Sequence, residues 1–267
     1  MKQSNAFAQN QIKASCDGGV GYLVIDSPSR KNAINAAMWR AIPDAIQWLQ
    51  ASAGARVILL QGGGEVDFSA GADISEFAAL RKDAETARVY EASNSAAFAA
   101  VREASVPVIA AIRGICYGGG FGLAAAADLR IAADKSVFAV PAARLGIAYP
   151  ADAVQDFVRG LGSAIARRAL FTGASLTAHE LFTCGFLSAV TDPAALDAET
   201  LIVARAIAAN APLSIRASKL AIRAVETEDL DLLREAEILG VSTFTSADYA
   251  EGRAAFAEKR QPTFTGK

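Results

Sequence analysis

Two short apolar runs, Arg56-Val-Ile-Leu-Leu60 and Val106-Pro-Val-Ile-Ala-Ala-Ile112, constrain this chain more than any other feature. Neither alternates with polar residues, and each is short for a buried helix. Each therefore reads as a strand covered on both faces. Leu129–Ala133 reads as a third strand, and Val20–Ile25, closed by the turn signal Asp26-Ser-Pro28, as another. Helical patterns lie between them. Asn35 caps a helix running to about Ala53, with Met38, Ile42, Ile46 and Leu49 on one face, and Pro43 inside it predicts a kink or a restart. A polar, glycine-rich loop over 61–69 leads to a long helix ending near Glu103, and 123–127 reads as helix. From Asp152 onward the pattern is almost entirely helical. Thr177-Ala-His-Glu180 is a capping box with Gly185 as its stop, and further helices cover 194–210, 214–226, 229–244 and 247–258. Strands alternating with helices, then a helical tail, give an α/β core with a C-terminal helical extension.

Composition removes several function classes. The 267 residues suffice for one large domain or two small ones, and 52% of them are hydrophobic. With 26 Lys and Arg against 28 Asp and Glu, the net charge of −2 leaves no cationic surplus for a phosphate backbone, so no nucleic-acid partner is expected. The longest apolar stretch, 115–127, is about thirteen residues and glycine-rich, well short of a membrane span. The first fifteen residues carry Lys2 and Lys13 without an apolar run, which speaks against a secretion leader. Cys16, Cys116 and Cys184 are odd in number and lack metal-type spacing, which suits a reducing, cytoplasmic setting. The single histidine, His179, leaves no metal site of the usual histidine kind, and its place in the capping box accounts for it.

The glycine-rich stretches fail the nucleotide tests. No Gly-Lys-Ser/Thr ends a P-loop, and Gly118-Gly-Gly-Phe-Gly122 puts Leu123 where the dinucleotide fingerprint needs glycine. What remains is a pair of loop-to-helix junctions, Phe68-Ser-Ala-Gly-Ala-Asp-Ile74 and Gly114-Ile-Cys-Tyr-Gly-Gly-Gly-Phe-Gly122. Small residues there let a backbone approach a ligand, and the first amides of a helix are unpaired donors. Two such turns converging would hold a carbonyl oxygen gaining negative charge. Close helix–strand packing by glycine and alanine is the other reading of either loop alone.

Taken in order, these pieces resemble the crotonase superfamily, the enoyl-CoA hydratase/isomerase family. They are Pro28-Ser-Arg-Lys-Asn-Ala-Ile-Asn35, the two junctions, Pro107-Val-Ile-Ala-Ala-Ile-Arg-Gly114, Leu145-Gly146, Phe171-Thr-Gly173, Gly185-Phe-Leu187 and the tail from Asp248 to Phe264. The resemblance implies a ββα-spiral core that binds acyl-CoA over 1–195. It also implies a helical trimerisation region over 196–267, giving a homotrimer or a dimer of trimers. The partner implied is an acyl-CoA thioester, with coenzyme A entering as part of the substrate and no separate cofactor. Position by position, the backbone amides that hold the thioester oxygen fall on Ala72 and Gly119. The coenzyme contacts fall on Lys31 and Ala70, with Phe256 and Lys259 approaching from the C-terminal helix, often that of a neighbouring subunit.

The acid–base half departs from the family pattern. Hydratases of this family carry a glutamate two positions after the glycine triplet, where this chain has Gly122, and another after the next proline, where Pro141 is followed by Ala142. A hydrogen or a methyl group cannot move a proton. Ordinary hydration is therefore doubtful, and a non-catalytic acyl-CoA-binding relative is the alternative. Among nearby groups Asp152 is the first candidate for proton transfer, with helix capping its competing role, and Tyr149 is the second. Arg144 reads as a surface residue or a partner for a substrate carboxylate.

Overall fold

The computed structural model describes residues 2–267. The described chain begins as an antiparallel meander of β1 (Gln3–Phe7), β2 (Ile12–Asp17) and β3 (Val20–Ile25), from which α1 (Ala36–Ala51) crosses to β4 (Val57–Gly62). A short α2 (Phe77–Leu80) and the long α3 (Ala84–Arg102) lead to β5 (Val108–Ile112), β6 (Ile115–Tyr117), α4 (Gly119–Ala126), β7 (Leu129–Ala133) and β8 (Val137–Ala139). Next come α5 (Ala151–Thr172), broken at Gly162, then β9 (Leu176–Thr177), α6 (Ala178–Thr183) and β10 (Ala189–Thr191). The helices α7 (Leu196–Ala209), α8 (Pro212–Thr227), α9 (Leu230–Ser242) and α10 (Ala247–Glu258) close the chain.

Seven strands form one sheet in the order β1-β2-β3-β4-β5-β7-β10, parallel from β3 to β10. A second sheet holds β6-β8-β9. β5 is buried throughout and β4 at its first four positions, as their unbroken apolar sequence demands. Alternation then distributes their side chains to two cores. Ile58 and Leu60 join α1, α3, α4 and α5 on one face, while Val57, Leu59 and Ile109 meet Leu196, Ala204 and Ala208 of α7 on the other.

Several expectations hold in detail. Asn35 caps α1 by accepting from the Met38 amide at 2.9 Å. Thr177 and Glu180 form their reciprocal capping box at α6, leaving His179 a structural role. Hydrogen bonds from Thr177 and Arg168 pull the Glu180 carboxyl down to about 2. Because its folded value lies below its ordinary one, the stabilisation is present above about pH 4.5 and fades as pH falls toward 2. Glu180→Gln is expected to flatten the acid limb of Tm over that window, a change small enough to need parallel melts, because the pair is exposed. An unchanged limb would remove the carboxylate from the capping energetics.

Other expectations need correcting. Pro43 neither kinks nor restarts α1, which runs unbroken because buried Met38, Ile42, Ile46 and Leu49 hold both sides of the proline against the core. α4 starts at Gly119, four residues earlier than its apolar pattern suggests. The region after Asp152 is not wholly helical, since β9 and β10 pair with earlier strands. Asp152 does not cap α5: Pro150 occupies that position, and the Asp152 carboxylate instead accepts from Ser95 Oγ at 3.1 Å. Among the described residues no helix is long and apolar enough to cross a membrane.

Candidate active site

The two loop-to-helix junctions meet, and the sequence shows why they can. Asn32 is buried and acts as a three-way tie: its Nδ2 donates to the carbonyls of Gly63 (2.9 Å) and Asp67 (2.7 Å), and its Oδ1 accepts from the Ser27 amide. Ser69 Oγ donates to the Asn32 carbonyl at 2.7 Å. The segment after Ser69 then lies beside Lys31–Ile34 like a strand. Ala70 N donates to Lys31 O, Ile34 N to Gly71 O, and Asp73 N to Ile34 O. Since Gly71 O and Asp73 N both engage Ile34, the Ala72 N–H between them points the other way.

On that side stands the start of α4. The Gly119 amide opens the helix without an intrahelical partner, as the first donors of any helix do. Among the described residues, neither Ala72 N–H nor Gly119 N–H has a protein acceptor. A Cβ placed on Gly119 would stand 3.8 Å from Ala72 N, and one placed on Gly71 would stand 2.9 Å from Gly119 N. Both amides border a cavity of about 90 Å³ lined also by Ala70, Phe98, Ala142 and Tyr149. Two convergent free donors at a helix N-terminus can hold an oxygen on which negative charge builds. At the far end of α4, half-buried Arg130 donates to the carbonyls of Ala124, Ala125 and Ala127 and stacks on Phe186 at 4.5 Å.

The acid–base candidates fare differently. Tyr149 borders the cavity, but its hydroxyl donates to Gly118 O at 2.8 Å, and burial pushes its phenol well above the ordinary value. It steadies the carbonyl that precedes Gly119. Asp152 is not among the residues lining the cavity; it lies 3.9 Å from Arg102, which forms a bidentate pair with buried Asp156. Gly122 is closely packed: a Cβ there would meet Tyr149 Oη at 2.5 Å and the Phe98 ring at 2.8 Å. Arg144 is exposed and donates to Thr172 O. Cys116 is a buried wall residue whose thiol burial pushes well up.

One carboxylate that does reach the cavity was missed from the sequence. Glu91, Asn94 and Phe98 of α3, spaced i, i+3 and i+7, line it together, joined by Arg81. Arg81 Nη2 lies 2.6 Å from Glu91 Oε1, with its guanidinium 4.0 Å from the centroid of Phe77 and 4.7 Å from that of Tyr90. Burial raises the Glu91 carboxyl above its usual value, with Arg81 opposing. The spacing on α3 was the only available signal, and it is shared by many ordinary helices.

The coenzyme candidates divide into two groups. Lys31 and Ala70 are joined by their backbone hydrogen bond beside the cavity. Phe256, 88% exposed, and Lys259, the exposed residue that caps the end of α10, are not among the residues that line it. A larger groove of about 810 Å³ lies elsewhere, between α8 and the core, and is lined by neither glycine loop. Among the described residues no cluster of three or more His, Cys, Asp or Glu could hold a metal.

Comparison with known proteins gives a consistent picture. The family model described as enoyl-CoA hydratase/isomerase matches residues 15–267. The crotonyl-CoA hydratase of Syntrophomonas wolfei is 33% identical over 92% of this chain and 94% of its own, and the carnitinyl-CoA dehydratase of Proteus mirabilis is 34% identical over 94% and 96%. The crystal structure of an enoyl-CoA hydratase/carnitine racemase from Magnetospirillum magneticum superposes with a TM-score of 0.90 at 36% identity, covering 96% of each chain.

Proposed function

Since the chain belongs to the enoyl-CoA hydratase/isomerase family of the crotonase superfamily, we propose that it binds an acyl-CoA thioester and stabilises the thioester enolate with the Ala72 and Gly119 amides. The observation that carries this reading is the pair of unpaired N–H groups converging on one cavity from two separate loops. Each donor of this kind is typically worth about 3 kcal/mol to an oxyanion. Main-chain donors tolerate the side-chain changes that distinguish this chain from the family's hydratases.

The reaction is not ordinary two-glutamate hydration. Where the first glutamate of those hydratases would start, Tyr149 and Phe98 pack against Gly122; where the second would stand, the cavity is bordered by the methyl of Ala142. Deprotonation and reprotonation of an acyl carbon, as in isomerisation, needs only one proton-carrying group beside the enolate site. Asp152 and Tyr149 remain candidates for that group because they follow the Pro141-Ala142 loop in the sequence.

In the same reading coenzyme A follows Lys31 and Ala70 out of the cavity, and Phe256 and Lys259 serve a neighbouring copy. The 196–267 region supports such an assembly: Ile222, Val225, Leu230, Ile238, Val241 and Phe244 are all at least 60% exposed, more apolar surface than an isolated helical tail can leave to water. A homotrimer, alone or paired, covers it. A monomer by light scattering at micromolar concentration would count against it. Residues 1–195 then form the acyl-CoA-binding core. With free thiols at all three cysteines, two of them buried, the protein fits a cytoplasmic setting.

Enoyl-, 3-hydroxyacyl-, β-keto- and malonyl-type CoA thioesters, incubated with the protein and followed by mass spectrometry, test the proposal. Turnover of at least one is expected. Tight coenzyme-dependent binding of the panel with no turnover would instead make the protein an acyl-CoA binder, the alternative that Gly122 and Ala142 favour.

A further inference from the structure

The acid–base position left open above has a physical claimant on α3. Three observations converge there. Glu91 is a carboxylate bordering the same cavity as the Ala72 and Gly119 amides, and its side chain is 32% exposed, so protons can pass to solvent. Arg81 is held between Phe77 and Tyr90, and its Nε, although buried, has no partner among the described residues. Asn94, 5% exposed, has its Nδ2 3.5 Å from Glu91 Oε2 and a buried Oδ1 without a partner among the described residues. Two buried polar atoms left unpaired beside an apolar acyl group are unfavourable unless a polar group of the ligand engages them. The corner is therefore built for a polar event at the ligand.

We propose that Glu91 is the group that carries the proton at the acyl carbon of the bound thioester, with Arg81 and Asn94 as its positioning residues; this rests on the enolate reading above. The step balances without a co-reactant. A C–H bond next to the thioester carbonyl breaks, and its electron pair becomes the carbon–carbon double bond of the enolate. The carbonyl π pair moves to the oxygen facing Ala72 and Gly119, and the proton bonds to a Glu91 oxygen. Reversal, at the same or a conjugated carbon, returns it.

The surroundings match the task. Burial lifts the Glu91 carboxyl toward the working range of a base, Arg81 restrains the shift, and Asp152 of α5 pushes the same way as burial. Tyr149, on the loop before α5, and Tyr90, on α3, are the other titratable groups that sense it, and both are held protonated by burial. Arg81 and Asn94 both contact the carboxylate, and Ile74, Phe77 and Ile147 supply apolar lining to the same cavity. Tyr149 spends its hydroxyl proton on Gly118 O, and Asp152, bonded to Ser95 Oγ, is not among the residues that line the cavity, as Glu91 is.

Solvent exchange gives the test. The full-length protein is incubated with butyryl-CoA and with 3-butenoyl-CoA in D2O, and deuterium at the acyl carbons is followed by mass spectrometry. Glu91→Gln keeps size and the amide contacts but cannot carry a proton. Exchange in this variant is expected to fall about 10²-fold with thioester affinity and Tm little changed. The acid limb of kcat/KM, which rises with pH through a value above the usual carboxylate range, should vanish with it. Glu91→Asp should recover part of the rate. Exchange that survives Glu91→Gln, or that is lost only in Asp152→Asn, overturns the assignment while leaving the enolate reading intact. Absence of exchange by the unmodified protein on both thioesters and of turnover on the wider panel overturns the enolate reading and the assignment together.

Discussion

Gly71→Ala is expected to lower turnover by about 10²- to 10³-fold while leaving the protein folded. Gly71 has φ +87°, a conformation that strains any residue with a Cβ, and the space around it belongs to the opposite loop. The added methyl would lie 2.6 Å from Tyr117 O, 2.9 Å from Gly119 N and 3.3 Å from Gly118 Cα. All three are backbone atoms, so no side chain can swing aside. The loops must part, and parting them separates the Ala72 and Gly119 donors. Gly119→Pro deletes one donor outright and is expected to be equally damaging, but its added ring also meets Trp39, whose Cζ2 would be 2.7 Å from a Cβ there. Gly71→Ala is therefore the cleaner variant. Circular dichroism and Tm establish the fold, and kcat on the substrate found by the panel gives the result. Retained activity in a folded Gly71→Ala protein would remove the paired amides from the reaction.

Crotonyl-CoA hydration by the unmodified protein is expected to run about 10²- to 10⁴-fold below that of a two-glutamate hydratase, since general acid–base help has that size. The loss of the enoyl thioester absorbance reads it directly. Restoring the carboxylates should be unequal. Ala142→Glu places a side chain at the cavity border and should raise hydration measurably. Gly122→Glu should not, because its Cβ would collide with Tyr149 Oη and the Phe98 ring and destabilise the contact between α3 and α4. Brisk hydration without substitution would refute the reading that Gly122 and Ala142 close the usual route.

How far the sequence reached depended on whether the determining forces were local. Asn35 and the Thr177–Glu180 box were legible because a cap is a short-range hydrogen bond with a fixed residue preference. β4 and β5 were legible because burial on both faces leaves an uninterrupted apolar run. β1 was not, since its residues are exposed or half-buried and its pairing with β2 is mostly a backbone affair. β6, β8 and β9 are two or three residues long, too short for any periodicity to show. Asp152 carries a capping residue's chemistry, yet Pro150 had already set the helix start. The two glycine loops were recognisable as loop-to-helix turns, but their meeting depends on Asn32 and on pairing between distant segments. Glu91 was hidden for the same reason: nothing on α3 announces that α3 borders the cavity.

Arg130 adds a consequence for how this chain tolerates change. It touches neither glycine loop, yet its guanidinium gathers the carbonyls that end α4, the helix that begins at Gly119. At 1.5 Å per residue that helix spans about 12 Å. A cation fixed at one end complements the negative pole of the helix and leaves the positive pole facing the cavity uncompensated. Position 130 should therefore be as intolerant of neutral replacement as the glycines themselves in a saturation library selected for activity. The vulnerable surface of this protein extends through the helix to its far side, and inactive variants need not cluster where the ligand sits.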